Sequence, residues 1–83
     1  MSTEKEALSV QIRIMGNATD IALGLEKNDL DGAEDKMFSI SEDIGHLKVL
    51  VGVNNYSFKE MESIKNTLQA KIVDFKDKEG EYL

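Results

Sequence analysis

The sequence predicts an all-α protein: a three-helix up-down-up antiparallel bundle in which residues 1–83 form a single domain. Three segments of similar length carry apolar residues at helical spacing, and two short clusters of turn-forming residues separate them. The chain of 83 residues contains no proline, so no helix is interrupted from within. Helices of similar length joined by short turns alternate in direction, which gives the up-down-up order.

The first helix is predicted over about residues 4–27. Thr3 and Glu6 have the spacing of a capping box, in which a hydroxyl accepts from a free backbone N–H and a carboxylate reaches back. Asn28 favours the left-handed conformation that ends a helix, and Asp29 is suited to cap the next one. The apolar stripe of this helix consists of Ala7, Val10, Ile14, Ala18, Ile21 and Leu25.

The second helix, predicted over about residues 30–51, has the most regular apolar pattern. Its apolar residues follow one another at alternating intervals of three and four, which is typical of coiled coils and of bundle helices. This seam consists of Leu30, Ala33, Met37, Ile40, Ile44, Leu47 and Val51. Residues 48–53 are rich in β-branched side chains, which leaves a short strand as the alternative there. The seam runs into this segment, so a helix is favoured.

The third helix is predicted over about residues 57–79. Ser57 and Glu60 form a second capping box, and Tyr56 just before it is placed to form a hydrophobic staple with Met61. The apolar stripe of this helix consists of Phe58, Met61, Ile64, Leu68, Ile72 and Phe75.

Composition narrows the classes of function. Sixteen acidic residues against ten basic ones give a net charge of −6, which disfavours binding to nucleic acid or to anionic membranes. The chain has no cysteine, so a thiolate metal site is excluded, and we expect no metal and no cofactor. The N-terminal residues lack the apolar segment of a signal peptide, so the expected location is the cytoplasm. The small size and acidic character are typical of phage-encoded and accessory proteins.

His46 is the single histidine in the sequence. The segment from Gly45 to Lys48 resembles that of histidine phosphotransfer domains, which implies His46 as an alternative phosphoacceptor. In that family a lysine and then a glycine follow the histidine at the third and fourth positions, whereas this chain has Val49 and Leu50 there. The small residue that gives a partner access is therefore missing, and a solvated surface histidine is favoured. A single histidine without a nucleophile arrangement indicates a non-enzyme.

Apolar residues outside the three stripes predict an interaction surface. Those on the first helix widen its apolar face beyond the usual arc, and those on the second share one side of that helix. The candidate surface consists of Leu8, Ile12, Met15, Leu23, Phe38 and Val49. We therefore expect a non-catalytic protein–protein interaction module, an adaptor, assembly factor or inhibitor, that forms a homo-oligomer or docks on another protein. The alternative is a small-ligand binder with its pocket at an oligomer interface.

Overall fold

The computed structural model describes the backbone of residues 3–81 and the side chains of residues 3–78. The helices in chain order are α1 (Thr3–Glu26), α2 (Leu30–Val51) and α3 (Tyr56–Glu81), and they pack against one another as a bundle. The predicted all-α bundle is confirmed, with each helix end within two residues of its predicted position. The described residues contain no strand, so the segment 48–53 is the end of α2 and the start of a turn.

The turn between α1 and α2 follows its predicted design. Asn28 adopts a φ of 61°, and the N–H of Asp29 donates to the carbonyl of Gly24 at 2.8 Å, which closes the end of α1. The Asp29 carboxylate accepts from the N–H of Gly32 at 3.0 Å and so caps α2. At the other end, α1 begins at Thr3 itself, and the residue that would cap it lies outside the described residues.

The turn between α2 and α3 differs from the prediction. Gly52 takes a φ of 86°, and its N–H donates to the carbonyl of Lys48 at 2.8 Å. The carboxamide oxygen of Asn55 then accepts from the N–H of Phe58 at 3.1 Å. Asn55 is therefore the capping residue of α3, and the predicted capping box of Ser57 and Glu60 is wrong because α3 begins one residue before Ser57.

The predicted hydrophobic staple is also not formed. Tyr56 is the first residue of α3 rather than the residue before its cap, and 75% of it is exposed. Met61, its predicted partner, belongs to the buried core instead. A staple requires its first residue to precede the cap, and with Asn55 as the cap that position falls on Asn54.

The core is formed by the three predicted stripes except for Phe75, which is partly buried outside it, and Leu50, which was in no stripe, packs against it. Its most deeply buried large side chains, each less than 2% exposed, all belong to α1 and α2: Val10, Ile14, Ile21, Ile40 and Leu47. α3 covers this pair with residues that are slightly more accessible, namely Phe58, Met61, Leu68 and Ile72. No polar or charged residue is buried in the described part of the chain. Within the same range, no helix is long and apolar enough to cross a membrane.

The cap of α3 can be tested with neighbouring alanine substitutions. We expect Asn55→Ala to lower the free energy of unfolding by about 1 kcal/mol, because the N–H of Phe58 loses its acceptor. Ser57→Ala should change it by less than about 0.5 kcal/mol, because Ser57 lies inside the helix. Urea unfolding followed by circular dichroism measures both. If Ser57→Ala lowered the free energy of unfolding more than Asn55→Ala does, the result would support the capping box of Ser57 and Glu60 instead.

Two isoleucines on α1 test which side of this helix faces the core. Ile14 is 0% exposed and Ile12 is 61% exposed. Replacing either by valine removes one methylene and keeps the β-branch, so changes in helix propensity nearly cancel. In dilute solution we expect Ile14→Val to cost about 1 kcal/mol of unfolding free energy and Ile12→Val to cost less than half of that. Equal losses in urea unfolding would contradict this packing.

Candidate interaction surface

Large apolar side chains line the side of α1 that points away from the core. Leu8, Ile12, Met15 and Leu23 are 57%, 61%, 54% and 47% exposed, respectively. They recur at intervals of helical periodicity, with Thr19 filling the gap between Met15 and Leu23, so they share one side of the helix. We call these five residues the outer face of α1. It runs alongside the predicted core stripe without merging with it, so this one helix is apolar on two sides.

Thr19 does not interrupt the apolar character of the outer face. Its hydroxyl donates to the backbone carbonyl of Met15 at 3.1 Å, within the same helix. A partner that covered Thr19 would therefore leave no unpaired hydroxyl donor behind. The outer face can be removed from water over its whole length without the cost of burying an unpaired polar side chain.

Most of the outer face also lies on a stretch of the chain that contains no acidic residue. Residues 7–19 contain no aspartate or glutamate, and Arg13 is their single charged residue, although the whole chain has 16 acids and a net charge of −6. An acidic residue returns at Asp20, and Lys5 and Glu26 lie three residues beyond the two ends of the face. Another acidic protein would meet less like-charge repulsion along this stretch than along the acid-rich segments of the chain.

Gly16 lies beside Met15 at the middle of this helix. A glycine inside a helix costs about 1 kcal/mol relative to alanine, because its backbone loses more freedom on folding. Nothing among the described residues accounts for a glycine here: a Cβ added to Gly16 would meet none of their atoms within 4 Å. The missing side chain leaves a shallow depression on the surface of α1, next to the outer face.

Ion pairs between α1 and α2 bound the outer face on one side. The Glu6 carboxylate lies 3.2 Å from Nε2 of His46, and Asp43 accepts from Nη2 of Arg13 at 3.2 Å. Lys36 and Asp20 are 3.6 Å apart at the far end of the row. Exposed pairs of this kind contribute at most about 1 kcal/mol each, so they follow a helix pairing that the apolar core determines. The descending order of their α2 partners shows that α1 and α2 are antiparallel.

His46 is exposed, as predicted, with 43% of its side chain accessible. It does not point directly into solvent, however, but lies on the flank of α2 that meets α1, where Glu6 contacts it. A carboxylate at Nε2 opposes the approach of an anionic phosphoryl group to that nitrogen. The role of His46 as a phosphoacceptor stays a prediction, and the geometry around Nε2 does not favour it.

Phe38 and Val49 belong to a different surface from the outer face of α1. Both are exposed, at 68% and 83%, and they lie three helical turns apart on one side of α2. Phe38 lines a groove of about 260 Å³ between α2 and α3, together with Val73 and Ile72. The ion pairs to α1 lie on the opposite flank of α2. The six residues predicted as one interaction surface are therefore divided between two faces.

Sequence reasoning missed Val73, which is 51% exposed and adds to the apolar side of the α2–α3 groove. It follows the core residue Ile72 directly and gives no periodic signal of its own on α3. Its contribution depends on the register between α2 and α3, which brings Lys76 of α3 against Glu34 of α2. The sequence patterns of single helices contain no information on this register.

A second groove, of about 300 Å³, is polar and lies over the ion pair of Arg13 and Asp43. Asn17, Ser39 and Glu42 complete its lining. Its two best-placed charges already neutralise each other, which weakens its attraction for a charged ligand. Among the described residues, no group of three or more histidine, aspartate or glutamate side chains is placed to hold a metal ion.

Comparison of this chain with models of protein families, with curated proteins and with solved structures finds no match. The surface of the molecule itself is therefore the guide to its function.

The two glycines Gly16 and Gly52 provide a test of whether the depression on α1 serves the fold. We expect Gly16→Ala to raise the free energy of unfolding by somewhat less than about 1 kcal/mol, because the added methyl group meets open space. Gly52→Ala should instead lower it, because Gly52 has a φ of 86°. Thermal and urea unfolding in dilute solution measure both changes. A destabilised Gly16→Ala variant would mean that the glycine is needed within the single chain.

Proposed function

We propose that this protein is a non-catalytic interaction module that acts by occupancy, covering a helical surface of its partner with the outer face of α1. The observation that supports this proposal is the outer face itself: a row of exposed large apolar side chains along a helix whose other side is already buried in the core. Contiguous apolar rows of this kind are uncommon on soluble proteins that do not bind others.

The spacing of the outer face favours a helix as the binding element of the partner. Side chains at intervals of three and four residues form ridges that fit the grooves of a second helix. Recognition of an amphipathic helix through anchors spaced in this way is a recurrent mode of protein binding. The low charge of residues 7–19 makes burial of this face less costly than burial of the acidic surfaces elsewhere.

A photo-cross-linking experiment tests this function without assuming a partner. The photoreactive amino acid p-benzoylphenylalanine replaces Ile12 on the outer face, or Glu62, which is exposed on α3, as the matched control. After irradiation in a lysate of the source cells, we expect a discrete cross-linked protein for the probe at Ile12 and none for the probe at Glu62. Mass spectrometry identifies the captured chain, whether it is a second copy or another protein.

The same pattern of adducts from both probe positions would contradict the proposal, because capture would then reflect general stickiness. Absence of any adduct at Ile12 would contradict it as well. Circular dichroism of both probe-bearing chains confirms that the helices are retained, so that neither result can be attributed to unfolding.

A further inference from the structure

The residues at the two ends of the outer face of α1 have opposite charges, and this pattern identifies a partner. Lys5 precedes Leu8 by three residues, and Glu26 follows Leu23 by three residues, so the face has a positive residue at one end and a negative one at the other. A helix with opposite charges at its two ends is complementary to a copy of itself that runs in the reverse direction. The same two copies running in parallel would place like charges together at both ends.

We infer that the partner is a second copy of this chain, bound through an antiparallel pairing of the two α1 helices about a two-fold axis. This inference rests on the proposed function and adds the identity of the partner and the geometry of the contact. A two-fold axis brings the same patch of both copies into contact. One self-complementary face is therefore sufficient for a closed dimer.

The residues between the charged ends match one another in this arrangement. With Lys5 opposite Glu26 of the second copy, Leu8 faces Leu23, and Ile12 faces Thr19. Leu8 and Leu23 thus meet an apolar side chain of the other copy, and Ile12 meets Thr19, whose hydroxyl is already hydrogen-bonded within its own helix. Lys5 also has an interaction within its own chain, so the orientation is decided by the sign of the charge at each end of the face.

The axis passes between Met15 and Gly16, and this position explains the glycine. Met15 of each copy then lies at the level of Gly16 of the other, and the open space above Gly16 allows the two backbones to approach there. The flexible Met15 side chain adapts to such a close approach beside the glycine. Gly16 has no packing role within the single chain, and the dimer gives it one.

Electrostatics permit contact between two copies at this face. Each chain has a net charge of −6, so two copies repel each other overall. Contact along residues 7–19 brings no carboxylate of one copy against a carboxylate of the other, since that stretch contains none. A contact one helix wide is at the small end of specific interfaces, about 1,200 Å² in total, so we expect a reversible dimer.

Sedimentation equilibrium of the full chain tests the dimer between about 1 and 500 µM, a range that brackets weak reversible association. We expect the mass to rise from that of the monomer to that of a dimer. Ile12→Glu should weaken dimerisation at least about tenfold, which corresponds to about 1.4 kcal/mol. The matched control Val49→Glu adds the same charge at an exposed position on α2 and should leave dimerisation within about twofold of the parent.

Cysteine cross-linking tests the direction of the pairing, because the natural chain has no cysteine. Leu8→Cys and Leu23→Cys variants carrying different tags are mixed and treated with a short bismaleimide. We expect cross-links between the two variants and none within either one, because the two copies of position 8 lie about 22 Å apart along an antiparallel pair. Cross-links within each variant alone would indicate a parallel pairing and overturn the proposed geometry.

A third pair of variants tests the centre of the contact. Gly16→Leu fills the open space at the axis, where the two helices approach, and should weaken dimerisation at least about tenfold. Gly45→Leu fills an equally open helical site on α2 and should leave it unchanged. Equal effects of the two substitutions would overturn the placement of the axis at Gly16.

These outcomes separate the partner from the function. A chain that stays monomeric over the whole concentration range overturns the self-association. If the photoprobe at Ile12 nevertheless captures a different protein, the interaction function stands and only the identity of the partner was wrong. If the probe captures nothing and the chain stays monomeric, both proposals fail.

Discussion

The packing of α1 against α2 is the constraint on which the rest of this molecule depends. The side chains with the least solvent contact, Ile14, Ile21, Ile40 and Leu47 among them, belong to these two helices. Their apolar stripes interlock along the full length of an antiparallel pair, and the row of ion pairs at its edge follows the same register. Once this packing fixes which side of α1 is inside, the opposite side is committed to solvent or to a partner.

Because this side of α1 is not needed for the core, the second apolar row on it is informative about binding. If the pair of α1 and α2 required a wide face for its own stability, residues such as Ile12 and Met15 would be covered by α2 or α3. Instead they are more than half exposed, while their neighbour Ile14 is fully buried. Exposed aliphatic side chains contribute little to the stability of a single chain and increase the risk of aggregation, so an external contact gives them a physical role.

The sequence was sufficient to predict the three helices, because apolar periodicity and turn residues are local signals. It was not sufficient to choose the cap of α3, since Asn55 and Ser57 are both good capping residues and lie two positions apart. The contact of Glu6 with His46 depends on the register of two helices distant in sequence. Phe38 is separated from the outer face of α1 because α1 and α3 pack on different flanks of α2. The periodicity of a single helix does not determine which flank each of these two helices occupies.

The absence of buried polar residues from the described core has a consequence for how this fold changes over evolutionary time. Aliphatic side chains of similar volume replace one another at small cost, so Ile40 or Leu47 is free to drift among neighbouring aliphatic types. Asn28 and Gly52 have less freedom, because positive backbone angles restrict the side chains they accept. We expect homologues to preserve the apolar periodicity, the outer face of α1 and these two turns, while sequence identity at other positions decays quickly.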